Sequence, residues 1–317
     1  MDKKVKFILI ISVGIIISGI LRACQSNSKT IDNREYEITN INIYKDTPAW
    51  ELALAVRDQK VATIKKIIKN EPNVLNYQEP KYGATLLLWA IGMEKYNSAE
   101  ALLKSGADPN IASVRYKTYG EETPLSLAAG FSWVDTKAKK DAKYVKLLIK
   151  YGADPNWCFI GDEHGIEPGT SILMESIGCG IEKTKALVEA GADINQKTQS
   201  GYTVATKALD AGGPNTTLEG IEYAYYLIVE KKANVLEPFY RRKSYGNEDP
   251  NEKFFPVNIL RYWVYDLGSK EYKMKMEIVE EFARQGVNYW ETEIPNSALQ
   301  QIKKLYPNTW EEYIKKY

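Results

Sequence analysis

The phrase Gly-Ala-Asp-x-Asn occurs three times in this chain, at Gly106–Asn110, Gly152–Asn156 and Gly191–Asn195. A phrase that returns at intervals of about forty residues specifies a stack of similar units, each touching only its neighbours, and not one globular core around one active site. Function in such a chain is carried by a surface assembled from the units.

Each phrase follows an apolar pair: Leu102 and Leu103, Leu147 and Leu148, Leu187 and Val188. Upstream of each lies a threonine that opens another apolar run: Thr85 before LLLWA, Thr123 before PLSLAA, Thr170 before SILMES. A fourth copy begins at Thr203 and ends in the worn form Lys232-Ala233-Asn234-Val235. The chemistry suits paired helices. A threonine oxygen accepts a hydrogen bond from an otherwise unpaired N–H at a helix start. Pro124 fits the first helical position, where no N–H is needed. Glycine after the second helix tolerates the left-handed backbone that ends helices.

The pattern resembles the ankyrin repeat, whose signature is Thr-Pro-Leu-His-x-Ala, a second helix, then Gly-Ala-Asp-x-Asn. The Thr123 copy matches best, with Ser126 where the family usually has histidine. Thr85 to Gly106 and Thr170 to Gly191 each span 21 positions, and Thr123 to Gly152 and Thr203 to Lys232 each span 29. The longer copies are read as carrying extra helical turns or a longer inter-helix turn around Ser132–Asp141 and Ala211–Gly220. Two weaker copies flank the four. In the first, Leu52, Leu54, Ala55, Ile64, Ile67 and Ile68 supply the apolar pattern, with Trp50 at the threonine position and Glu71 at the glycine position. The last starts at Phe255 and closes at Gly286-Val287-Asn288. The expected fold is an all-α ankyrin-repeat solenoid of about six helix-turn-helix repeats over Trp50–Tyr289. A C-terminal capping helix at Ser297–Leu305 follows, with Trp310 and Tyr313 beyond it.

The N-terminus reads as a targeting segment. Lys3, Lys4 and Lys6 precede an apolar run, Phe7–Leu21, that is short for a membrane span and suits a signal-peptide core. Leu21-Arg22-Ala23-Cys24 resembles a bacterial lipoprotein box, with Arg22 an unusual occupant of its middle position. That resemblance implies a signal peptide over residues 1–23 and lipidation of Cys24. Gln25 after the cysteine implies sorting to the outer membrane in a cell that has one. The other reading is a short, uncleaved signal-anchor. Residues 24–46, rich in polar residues, read as a solvated tether, and 47–317 as the repeat domain. Ile43 and Tyr44 are expected to dock on the first repeat. The expected location is a periplasm-facing lipid anchor in the cell membrane or the outer membrane.

The chain has 42 basic and 41 acidic residues. Four of the basic and one of the acidic lie before Cys24, which leaves a mature net charge of −2. That balance argues against nucleic acid as the main partner. The Arg241–Lys243 run and the cluster of Lys137, Lys139, Lys140 and Lys143 read as solvated faces. Cys158 falls in a finger between repeats and Cys179 at an inter-helix turn. A helix of about nine residues between them would hold them roughly 13 Å apart, beyond the roughly 7 Å of a disulfide. Both are expected to be free thiols.

The case for chemistry is thin, and no catalytic residue, metal site or cofactor is expected. The single histidine, His164, stands in Asp162–Glu167, read as a polar finger tip; a cation site there is the alternative. The chain carries 22 tyrosines and 7 tryptophans. In ankyrin proteins the fingers and first helices line a concave, protein-binding face, and large rigid rings make good anchors there. Tyr116, Tyr119, Trp157 and Phe159, in fingers longer than the family norm, are the candidate partner-binding residues. The alternative is that each ring covers the neighbouring repeat. The resemblance implies a monomeric, membrane-anchored, non-catalytic scaffold for an envelope protein. An immunity or inhibitor protein that neutralises an exported toxin is the alternative.

Overall fold

The computed structural model describes residues 37–116, 120–134, 140–161, 166–213, 218–240 and 251–317. Six helical pairs follow one another along these residues. They are α1 (Trp50–Arg57) with α2 (Val61–Asn70), α3 (Leu86–Gly92) with α4 (Tyr96–Lys104), α5 (Pro124–Ala129) with α6 (Lys143–Lys150), α7 (Ile172–Glu175) with α8 (Ile181–Glu189), α9 (Val204–Ala211) with α10 (Leu218–Ala224), and α11 (Pro256–Leu260) with α12 (Lys270–Arg284). Each pair packs against the next, so one continuous apolar core runs from Ile38 to Tyr289. Among the described residues no helix is long and apolar enough to cross a membrane.

The first helices start where a hydroxyl meets an unpaired N–H. Thr85 Oγ1 accepts from Leu88 N at 3.2 Å, Thr123 Oγ1 from Ser126 N at 3.1 Å and Thr203 Oγ1 from Thr206 N at 3.2 Å. Ser126 repays its cap by accepting the Thr123 N–H at 2.9 Å. In the fourth unit the cap is Ser171, which accepts from Met174 N at 3.2 Å, not the expected Thr170. Thr170 instead belongs to the finger, where its carbonyl receives the Phe159 N–H at 3.0 Å. The cap-to-glycine span of that unit is therefore one residue shorter than the expected 21.

The second helices end at left-handed residues: Gly106 (φ 94°), Gly152 (φ 86°) and Gly191 (φ 90°), with Lys232 taking the same role at φ 60° in the worn copy. The two long units spend their extra length differently. In the third, α5 stops at Ala129 and α6 begins at Lys143, so the extra residues form an inter-helix loop. In the fifth, both helices lengthen and α10 continues as a π-helical turn over Tyr225–Glu230.

Both ends differ from expectation in register. Ala49, without a side-chain cap, precedes α1, and Trp50 is already helical. Asn76 accepts the Asp108 N–H at 3.0 Å as Asn110 accepts that of Asp154 at 2.8 Å. This aligns Pro72, not Glu71, with Gly106. Ile38, Ile41 and Tyr44 are buried, and the Tyr44 hydroxyl donates to Ala84 O at 3.0 Å, so packing reaches back into the stretch read as tether. At the other end the cap is two helices, α13 (Asn296–Leu305) and α14 (Trp310–Ile314), around Val264, Ile302, Tyr313 and Tyr317. Buried Arg261 and Lys275 fasten it. Arg261 Nη1 donates to Tyr317 O at 3.1 Å, and Lys275 Nζ lies 3.7 Å from the centre of the Tyr317 ring.

Candidate protein-interaction surface

Asparagines close the units on one another. Asn110 Oδ1 accepts from Asp154 N at 2.8 Å while its Nδ2 donates to Gly152 O at 3.0 Å. Asn156 repeats this with Asp193 N at 2.7 Å and Gly191 O at 3.3 Å, and Asn195 accepts from Asn234 N at 2.9 Å. The aspartate two residues before turns the chain, as Asp154 Oδ1 does by accepting Asn156 N–H at 2.9 Å. Leu236 occupies the asparagine position in the fifth unit. There Gln285 substitutes from the sixth, accepting from Val235 N at 3.2 Å and donating to Ala233 O at 3.1 Å.

These staples set out a row of fingers. Residues 157–161 and 166–171 run antiparallel as the two arms of one finger, with Phe159 N–H donating to Thr170 O and Gly169 N–H to Phe159 O at 2.8 Å. Neighbouring fingers are bonded too: Val114 N–H to Tyr82 O at 2.7 Å, Gln199 N–H to Pro168 O at 2.9 Å and Tyr240 N–H to Ser200 O at 2.8 Å. Gly169 lies so close to the next finger that a β-carbon there would sit 2.8 Å from Lys197 O. In the last finger β1 (Phe239–Tyr240) pairs antiparallel with β2 (Lys253–Phe254).

The candidate aromatics fall into two separate groups. Trp157 and Phe159 meet edge to face, centroids 4.7 Å apart, and both are partly exposed. Tyr116 meets a different ring, the buried Tyr82, at 5.1 Å, with Lys81 Nζ 5.1 Å from the Tyr116 centroid. Tyr116 and Trp157 also lean on the core, so each has a packing role besides whatever it offers a partner. Tyr119 lies outside the described residues, as do Cys24, His164, Lys137, Lys139 and Arg241–Lys243. The sequence reading missed the most exposed apolar side chain of this finger, Ile160, which is 76% exposed beside the Trp157–Phe159 pair. It also missed Val114 and Phe131, each about half exposed.

Counted from its cap, the fifth residue of each first helix is Ala53, Trp89, Leu127, Glu175, Lys207 and Ile259 in turn, the first three of them buried. Glu175 and Lys207 stand 4.0 Å apart across two units. Burial pushes the Glu122 carboxyl up to about 7; the Trp133 side chain that hydrogen-bonds to it opposes the shift, and the Glu175 charge adds to it. Cys158 and Cys179 are free thiols. They are separated by the single turn of α7 and a tight turn after it, not by the nine-residue helix expected. Among the described residues no three His, Cys, Asp or Glu side chains converge as metal ligands.

Stacked helical pairs, hydroxyl caps, left-handed glycines and asparagine staples define the fold as an all-α ankyrin solenoid. The family model described as "Ankyrin repeat" matches residues 82–114, which run from the finger at Tyr82 through α3 and α4 to the next finger. The chain is 30% identical over 135 residues to ankyrin repeat and SOCS box protein 6 of Homo sapiens, and equally to that of Pongo abelii. Each match covers 42% of this chain and 29% of the relative, so the chain spans under a third of the length of the curated relatives it matches. Ankyrin repeats are protein-interaction modules, and this chain carries one at residues 82–114 within a solenoid of that fold.

Proposed function

We propose that this chain is a membrane-tethered, non-catalytic scaffold of the bacterial envelope that holds a protein partner against its fingers and first helices. One observation carries the choice of surface: Ile160, largely exposed, directly follows the Trp157–Phe159 pair on one arm of the finger. A large apolar side chain held out by a ladder of inter-finger hydrogen bonds loses little entropy on binding, and rigid apolar anchors of this kind dominate interface energetics. Tyr116 and Val114, one unit back, extend the surface, and Tyr119 is counted with them on its position in the sequence. The tether rests on the sequence of residues 1–24 alone, with acylation of Cys24 providing the anchor and the solenoid facing the periplasm.

The test is affinity purification of the full chain from membranes of its own cell, wild type beside Ile160→Asp, with mass spectrometry of the retained proteins and of the Cys24 peptide. The reading expects acylated Cys24, a protein retained by wild type, and its loss from Ile160→Asp with the helical circular dichroism unchanged. A retained stoichiometric partner that is toxic when produced alone in the periplasm makes the chain an immunity protein. A set of envelope proteins makes it a scaffold. Unmodified Cys24 in a soluble pool sinks the anchor, and equal retention by the variant sinks the surface.

A further inference from the structure

The chain is almost neutral overall, yet its charge is segregated among the second helices. α2 carries Lys65, Lys66 and Lys69 and no acid; α6 carries Lys146 and Lys150 besides Lys143 at its start, and no acid. α4 lies packed between them with one pair, Glu100 and Lys104, at 2.8 Å. The second helix of the fifth unit reverses the sign: residues 218–230 hold Glu219, Glu222 and Glu230 and no lysine or arginine. Lysines from three helices act on one point. Glu100 is held below its ordinary value first by its bond to Lys104, and the fields of Lys150 and Lys65 lower it further. Lys65, Lys66, Lys69, Lys146 and Lys150 are exposed, and none has an ion-pair partner among the described residues.

Half-buried tyrosines interleave with these lysines. Tyr96 and Tyr144 meet edge to face at 5.4 Å with Lys143 Nζ over both rings, and Lys150 Nζ stands 5.8 Å from the Tyr151 ring. Lysine and tyrosine together are the residues that sit at the headgroup level of a bilayer, the one attracted to anionic lipid and the other amphipathic. The position of the face completes the argument. It begins at the first repeat, and the proposed anchor Cys24 lies thirteen positions before the first described residue, a reach of at most ~47 Å.

We infer that the outer face of α2, α4 and α6 docks on an anionic phospholipid surface, laying the N-terminal units against the bilayer and leaving the fingers clear for a partner. The inference rests on the membrane-tethered reading. It adds an orientation that a tether alone does not impose.

The experiment is site-resolved lysine acetylation of the full chain, mixed with vesicles of phosphatidylcholine alone or with phosphatidylglycerol, at low and high salt. Flotation of the vesicles is scored separately. The expected result is protection of Lys65, Lys66, Lys69, Lys146 and Lys150 on phosphatidylglycerol vesicles only, reversed by salt, with Lys303 and Lys304 of the cap labelled equally throughout. Replacing lysines by glutamine at 65, 69, 146 and 150 should weaken affinity for the anionic vesicles by about fivefold per residue and leave thermal unfolding unchanged. Flotation with both vesicle types but no selective protection overturns the docking and leaves the tether standing. No flotation with neutral vesicles removes the tether, and recruitment by anionic vesicles then upholds the docking alone. Protection by soluble polyphosphate but not by vesicles assigns the face to another polyanion and overturns the inference.

Discussion

The ring of Trp133 lies against Gly92, so close that a β-carbon on Gly92 would sit 2.3 Å from it; Trp263 stands in the same relation to Gly212, also at 2.3 Å. In each case the glycine ends the first helix of one unit, and the tryptophan comes from the turn after the first helix of the next. The Trp133 N–H donates to Gly92 O at 3.1 Å and the Trp263 indole N–H to Leu209 O at 3.1 Å. Indole on glycine is thus a second inter-unit lock beside the asparagine staples, placed at the other end of the first helices.

Gly92→Ala should destabilise the protein by about 1–3 kcal/mol, the usual cost of overpacking. In a Trp133→Ala background the same change should cost less, because the clash is gone. Urea unfolding of the four proteins checks it; strictly additive losses would mean the contact is not the cause.

Asn156→Ala leaves the Asp193 N–H and the Gly191 carbonyl without their side-chain partner. At this exposed position water replaces part of the loss, so about 0.5–1.5 kcal/mol is expected. Asn156→Asp keeps the acceptor for Asp193 N–H and loses only the donor to Gly191 O, so it should cost less. Chemical denaturation that ranks Asp below Ala would contradict the staple.

Glu122 gives stability a defined pH dependence. Its folded carboxyl titrates at about 7, above the roughly 4.3 of a free glutamate. Between those values the folded state holds the proton and the unfolded state has released it. Stability therefore falls as pH rises through this window, by at most about 1.4 kcal/mol per pH unit. Glu122→Gln should flatten the slope and raise stability above pH 7. Melting curves from pH 5 to pH 8 read both, and a variant whose slope matches wild type would refute the assignment.

The two thiols should differ in reactivity. Cys179 is buried, and that burial pushes its pKa up to about 11. Cys158 is partly exposed and raised first by burial and then by Asp154 and Asp193. At pH 8 a maleimide should modify Cys158 well before Cys179, and denaturant should remove the difference. Peptide mapping of the native protein decides it, and faster labelling of Cys179 would reverse the order.

The sequence was legible wherever a feature is local. Thr85, Thr123 and Thr203 cap the helices they announce, and Gly106, Gly152 and Gly191 end them, because each device acts within four or five residues. Where two local choices stood side by side, the sequence could not decide. Thr170 and Ser171 both carry a capping hydroxyl, and pairing of the finger with residues 157–159 took Thr170 and left Ser171 to the helix. The candidate aromatics show the same limit. Trp157 and Phe159 are two residues apart and meet, whereas Tyr116 meets Tyr82, 34 positions away in the preceding finger.

The spacing and chemistry of its repeats by themselves determined that this chain forms stacked helical pairs with fingers between them, because caps, left-handed turns and apolar pairs are short-range physics repeated at one period. Only the tertiary structure decided how neighbouring units lock. The Trp133–Gly92 contact, the replacement of an asparagine by Gln285, the exposure of Ile160 and the gathering of lysines on α2, α4 and α6 all join residues of different helices or fingers. Such contacts depend on the angle and distance at which units stack, which no single repeat encodes.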